Sequence, residues 1–511
     1  MKRTSPALIA LAAFCLLCAP AGARDPALVK QQYDAVKANL NDGGDLMIIA
    51  NVDGLLESGI QKIIDFAGLA AKNEPSAAAA AEVLNKLPAF LRANGFYAVR
   101  GLGFSSVPAG SSLNTIRGFI SRDPAAAALP LWRGLFGMQG MDMITPAYLP
   151  ADTEIVRTFA CEPAQLWQIV RQGVTTLGTP ENAAAFEQSL AMSTVMLGLS
   201  LDSLINTLGG EGFMSLQMSP SKTVDIPVGA GGAPISIPEP SFLFGITVKD
   251  SSLANLLKTR FCGPGLPATL AETNGAEIIT MNAPLPLPFP AQITMASRSN
   301  ILLIGSTPGV IDRSLAAAKS GNGLLASAKF KSAFGTLPMK NNGLIYFSPE
   351  AAKNIQKIQE AALAADESAD AEMSRALMKF FGNDEPQQAA MVIVNTKNGI
   401  LLSGRTSFGG REMLASTALA PIAMMAGVAM PAMVQARRNS QKNSCINNLR
   451  QIEGAKDQWA IDNGATVGDQ VSPSDIEPYL KEFPSCPSGG SYVLNPIGTP
   501  ATCDQPGHTL E

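Results

Sequence analysis

The chain has 511 residues, 46% of them apolar and 16% charged, with a net charge of −4. This supplies apolar material for two or three buried cores, argues against broad disorder, and offers no strongly basic face for nucleic acid. The sequence holds 1 histidine, His508. Chemistry that needs several histidines is therefore excluded, and a histidine base could come only from this residue.

The N-terminus reads as an export signal. Lys2 and Arg3 precede an apolar stretch, Ala7 to Cys18, and Ala21-Gly22-Ala23 is a small-residue cleavage site. Cleavage after Ala23 is expected, which places the protein in the cell envelope. The rival is a lipoprotein signal with Cys18 acylated, although Leu17 stands where a small residue is wanted. Five cysteines follow: Cys161, Cys262, Cys445, Cys486 and Cys503. Export permits disulfides, and the odd count leaves one thiol unpaired within the chain. Cys161 and Cys262 form one possible pair; otherwise they are small buried apolar residues.

Residues 24–408 read as an α+β domain of repeated strand-then-helix units. Asp45 to Asp53 leads into a helix over Leu55 to Leu69. Thr153 to Glu162 leads into Pro163 to Val174, with proline at a favoured first helical position. Ser241 to Val248 leads into Asp250 to Phe261, and Gly343 to Ser348 into Pro349 to Leu363. Antiparallel hairpins are expected at 96–121, at Ile293 to Ser306 and at Met391 to Thr406. Such hairpins favour α+β over a doubly wound parallel sheet. Ala77 to Arg92, Asn182 to Leu208 and Ala351 to Phe381 are helical by composition. Pro227 to Pro240 reads as a loop, so a linker at 226–240 could divide halves 24–225 and 240–408.

Met413 to Val434 carries no charge and is about long enough for a membrane or filament-core helix, although Pro421 and Pro431 interrupt it. Residues 435–511 form a separate C-terminal module. Cys445, Leu449, Ile452, Ala455 and Trp459 recur at helical spacing on one face, and Asn463-Gly464 is a stop. A capping box over Ser474 to Glu477 announces a second helix. Ser491 to Leu494 can form a strand. Cys486 and Cys503 bracket this region, and a disulfide between them would stabilise so small a module by roughly 3 kcal/mol. The alternatives are free thiols or metal ligands, and no set of four metal ligands stands out by spacing.

These residues carry a resemblance. Ala436-Arg437-Arg438, Asn448 to Glu453, Trp459 and Asp462-Asn463-Gly464 resemble the long helix of type II secretion pseudopilins and related prepilin-like proteins. Cys486-Pro487-Ser488-Gly489-Gly490 with Cys503 is similar to the C-terminal loop of a pseudopilin-like subgroup. The resemblance implies a pilin-like helix with a small cysteine-closed cap, and pilin-like or secretion-system subunits, or further copies of this chain in self-assembly, as partners. The calcium-site loop of the major pseudopilin has no counterpart here, and Asp462 and Asp469 read as solvated. Leu149 to Thr153 and Asn300 to Gly321 are vaguely similar to bacterial envelope domains of unknown function, which implies no chemistry.

Arg437, Arg438 and Lys442 follow the apolar run, as on a cytoplasmic side. A Cys486–Cys503 disulfide asks for the opposite side, and the second arrangement is expected. Catalytic patterns are sparse. Ser219 to Lys222 fits Ser-x-x-Lys without its companion motifs, and Gly229 to Gly232 lacks the Gly-Lys-Ser/Thr of a phosphate loop. Asp366, Glu367, Asp370 and Glu372 read as a solvated helix face. The expectation is a non-enzymatic envelope protein without cofactor or catalytic residues, acting in assembly, secretion or surface display at a membrane. The alternative is a periplasmic binding module anchored by its C-terminal helix.

Overall fold

The computed structural model describes residues 25–410 and 442–510, apart from 74, 110–112, 227–233, 264–267, 274, 282–290, 299, 365–386, 481–482 and 506. The expected leader, the apolar run 413–434, Arg437 and Arg438, and the acidic stretch at 366–372 lie outside these residues. The chain forms two compact units, Met1–Glu412 and Met413–Glu511. Among the described residues, no single helix is long and apolar enough to cross a membrane.

The first unit mixes helices with one antiparallel sheet. Its strands are β1 (Leu46–Asn51), β2 (Val99–Pro108), β3 (Asn114–Arg122), β4 (Thr153–Ala160), β5 (Leu208–Ile226), β6 (Ile235–Val248), β7 (Ala268–Thr273), β8 (Ala276–Met281), β9 (Thr294–Arg298), β10 (Ile301–Gly305), β11 (Gly343–Phe347), β12 (Ala389–Thr396) and β13 (Gly399–Thr406). Its helices are α1 (Pro26–Lys37), α2 (Leu55–Asn73), α3 (Pro75–Asn94), α4 (Pro130–Phe136), α5 (Pro163–Leu177), α6 (Pro180–Leu197), α7 (Leu201–Thr207), α8 (Ser252–Phe261), α9 (Pro308–Ser320), α10 (Ala328–Phe334) and α11 (Pro349–Ala364). All four expected strand-to-helix passages are present: β1 to α2, β4 to α5, β6 to α8 and β11 to α11. The hairpins β2–β3, β9–β10 and β12–β13 also form as expected. The helix expected over Asn182 to Leu208 breaks at Gly198, whose φ of 79° caps α6 in the left-handed region that glycine tolerates.

The 13 strands run β1-β2-β3-β13-β12-β11-β4-β5-β6-β10-β9-β8-β7 across the sheet. This order overturns the expected division at 226–240. Strands β11 to β13 lie between β3 and β4, so the proposed halves interleave in one sheet. Residues Ile235–Pro240, assigned to the linker, begin β6 and pair with β5. Pro238 and Pro240 are tolerated because this part of β6 runs beyond β10, which pairs only with Leu243–Thr247. Among the described residues, no strand pairs with that side of Pro238 and Pro240 to need their missing N–H groups.

Adjacent strand residues face opposite sides of the sheet, and both sides are covered here. Phe119 and Leu401 pack with Val36 of α1 and with Leu40 just beyond it, while Ile120 and Ile400 pack with Trp132 of α4. Further along, Val310, Ile311 and Leu315 of α9 and Phe330 and Phe334 of α10 join Phe213, Leu303 and Tyr346 in the largest core.

Cross-strand Phe–Gly pairs tighten this sheet. Phe159 pairs with Gly212, and Phe213 with Gly245. A Cβ added to Gly245 would lie 2.2 Å from the fully buried Phe213 ring, so the absent side chain is what seats the ring. Gly68 within α2, by contrast, has nothing within 4 Å of its Cβ position. Gly245→Val should therefore lower stability by about 2–3 kcal/mol through overpacking, whereas Gly68→Ala should raise it by up to about 1 kcal/mol. Urea unfolding of the two variants beside the unsubstituted chain measures both signs.

Candidate metal centre

The second unit is built on α12 (residues 442–463) and α13 (Pro473–Ile476), with a short ladder of β14 (Tyr492–Val493) and β15 (Thr502–Cys503). The periodic face foreseen for α12 is the buried one: Cys445, Leu449, Ile452 and Ala455 are enclosed, and Trp459 is partly so. Gly464, with φ of 63°, ends the helix where expected. The second helix starts earlier than the foreseen Ser474 box. Ser472 is the N-cap, Asp475 completes the box, and Pro473 fixes the first helical residue.

The fold brings Cys445, Cys486, Cys503 and His508 together. One donor atom from each lies within 4.8 Å of all the others. Cys445 comes from the first turns of α12, Cys486 from the loop before β14, Cys503 from β15, and His508 from the segment after it. Gly507 takes a φ of 77°, and the His508 amide bonds the Gln505 carbonyl. That turn carries the imidazole back to the sulfurs, and its Nδ1 lies 3.8 Å from Cys486 Sγ. Cys445, Cys486 and His508 are all less than one-tenth exposed.

This arrangement differs from the expected disulfides. Cys161, Cys262, Cys445, Cys486 and Cys503 are all free. Cys486 and Cys503 are neighbours as foreseen, but a third sulfur and the histidine share their space. Cys161 does not pair with Cys262; burial, aided by Glu162, pushes its thiol up, as suits a small apolar residue.

Neighbouring groups set the thiols apart. Burial pushes Cys445 up to about 12, although the Tyr492 hydroxyl donates to its sulfur at 3.4 Å. Asn448 in turn bonds Tyr492 Oη at 3.1 Å and the Ser485 carbonyl at 3.0 Å. Burial also opposes ionisation of Cys486. The backbone N–H groups of Ser488 and Gly490, with Cys445 and His508, outweigh it and hold this thiol at about 7. Cys503 Sγ is 4.0 Å from Asp504 Oδ1, which also accepts the Ser491 amide at 3.0 Å.

A buried charge network braces the same unit. Lys456 is 1% exposed; its Nζ lies 2.9 Å from Glu453 Oε1 and 2.7 Å from the Thr499 carbonyl. That Glu453 oxygen also accepts the Ala501 amide at 2.7 Å. The helix thereby grips the strand that delivers Cys503. Asp462 accepts from Gln458 and Tyr479, and Asp469 from Thr466, so each is engaged locally.

Three thiols and an imidazole are ligands for a borderline-soft ion such as zinc. Sequence reading missed the set because Cys445 is far from the rest in the chain. Two local signals pointed to it: the Cys486-Pro487-Ser488-Gly489-Gly490 turn, whose amides face the sulfur, and the Cys503-to-His508 spacing. Ser219 and Lys222 share one turn. The Ser219 hydroxyl accepts the Ser221 and Lys222 amides, and Lys222 Nζ lies 3.9 Å from Glu239. The chain matches no family model, no curated protein and no solved structure.

One outcome follows from this geometry. Lys456→Ala should cost about 3 kcal/mol, since it strands Glu453 and unties the Thr499 carbonyl; urea unfolding of the variant beside the unsubstituted chain measures it.

Proposed function

We propose that this is a non-enzymatic envelope protein whose C-terminal unit is a pseudopilin-like module acting in assembly, secretion or surface display. The observation that carries this reading is the organisation of residues 442–510. One helix buries a single apolar face, Cys445, Leu449, Ile452 and Ala455, under a small cap made by the rest of the unit. This organisation supports the helix-and-cap plan that the resemblance implies. The histidine is 8% exposed and sits among the three sulfurs, which suits a structural role better than a base facing substrate. Export, membrane association through residues 413–434 and pilin-like partners belong to the same proposal.

A second reading, a partner- or ligand-binding sheet unit anchored by its C-terminal part, is favoured by one feature. A half-open cleft of about 860 Å³ lies among the Ser219–Lys222 turn, Pro150–Asp152 and the start of α9. Arg313 spans it, with Nε 3.1 Å from Asp152 and Nη2 3.2 Å from the Ser241 hydroxyl.

Deletion of residues 442–510 in the native host separates the two. The assembly reading expects the sheet unit to fold and be exported but to lose its chemical cross-links to neighbouring envelope subunits. Unchanged cross-linking after the deletion would contradict it and leave the anchored binding module.

A further inference from the structure

We infer that Cys445, Cys486, Cys503 and His508 bind one zinc ion in a closed, structural site on which the fold of residues 442–510 depends. The inference does not rest on the assembly reading, and either can fail alone.

Tetrahedral zinc with Zn–S bonds of about 2.3 Å spaces its sulfurs about 3.8 Å apart. The four donor atoms here lie within 4.8 Å of one another, and Cys486 Sγ and His508 Nδ1 are 3.8 Å apart. A small inward movement of each side chain completes the tetrahedron. A disulfide would need one pair of sulfurs at about 2.05 Å and would leave the third thiol and the imidazole crowded against it.

The donors also select the ion. Three thiolates and one imidazole are poor ligands for calcium or magnesium, which take oxygen. Iron–sulfur clusters are ordinarily held by four thiolates rather than three and a histidine. The Asp504 carboxylate beside Cys503 already accepts the Ser491 amide. Three thiolates, a neutral imidazole and Zn²⁺ carry one net negative charge, which N–H and O–H donors must offset. Ser488 and Gly490 supply amides to Cys486, and Tyr492 supplies a hydroxyl to Cys445. Such outer donors orient ligands and tune the ion.

The site is closed and the unit needs it. Four protein donors fill a tetrahedron, so no position remains for water or substrate, as in structural rather than catalytic zinc sites. Each donor comes from a different segment: α12, the loop before β14, β15 and the segment beyond. One ion therefore ties together a unit too small to rely on apolar burial alone. Binding of the metal and folding of the unit become one equilibrium.

The test uses the full-length chain, purified reduced and without chelator. Elemental analysis should give about one zinc per chain, and Cys445→Ser should reduce this at least 10-fold. Cobalt exchanged for zinc in the unsubstituted chain should give the visible bands of a tetrahedral ion and thiolate-to-cobalt charge transfer scaled to three sulfurs. This readout needs no variant to fold. Tyr492→Phe keeps the ring in place and should weaken zinc about 10-fold in competition with a chromophoric chelator. A Cys486–Cys503 disulfide in the native chain, found by mass spectrometry, would overturn the inference. So would iron in place of zinc, or zinc retained unchanged by the cysteine variant.

Discussion

The C-terminal unit depends on the meeting of three sulfurs and one imidazole in a space a few ångströms across. Residues 442–510 offer one buried helix face, a four-residue helix and a two-stranded ladder. So little apolar burial rarely holds an irregular loop in one conformation. The cluster fixes what the loop must do: leave α12 beyond Gly464, return Cys486 beside Cys445, run back through β15, and turn at Gly507 to present His508. Glu453 and Lys456 reinforce that route by gripping Thr499 and Ala501, just ahead of Cys503. Sulfur and imidazole donors gathered in this way suit tetrahedral zinc.

The sheet unit obeys a different constraint. Its strands pair across long stretches of sequence, so the early β3 is held by the late β13, and β4 by β11. A segment of either half cannot fold as an independent domain, because its edge would expose the partners that the other half supplies. Phenylalanines laid over glycines let neighbouring strands approach, and helices cover both faces. Several of its charged side chains are held in ion pairs, as with Arg133 and Glu162 or Arg171 and Asp202. The cleft beside α9 is where convergent polar groups meet open space.

The sequence made local structure legible and left long-range structure hidden, for physical reasons. Helical periodicity placed α12 and the apolar residues of its buried face, because a one-sided apolar stripe is a property of a short window, but it did not show that Lys456 would be buried as well. Strand-to-helix passages and hairpins were legible for the same reason. Strand order was not, since Val156 and Tyr346 carry no mark that they will pair. Pro238 and Pro240 read as linker because proline usually interrupts a sheet, yet a hairpin arm extending beyond its neighbour tolerates them. The four donors were hidden by separation. Two cysteines bracketing a loop suggested a disulfide, and nothing in the spacing announced that Cys445 would join them. The Cys486-Pro487-Ser488-Gly489-Gly490 turn was the informative clue, because amides gathered on one sulfur prepare it to be a thiolate.

X-ray absorption at the zinc edge on the purified full-length chain tests this account most directly. The account predicts a first shell of three sulfurs at about 2.3 Å and one nitrogen at about 2.0 Å. A shell of oxygen and nitrogen alone, or a chain that carries no zinc and shows Cys486 bonded to Cys503, would contradict it.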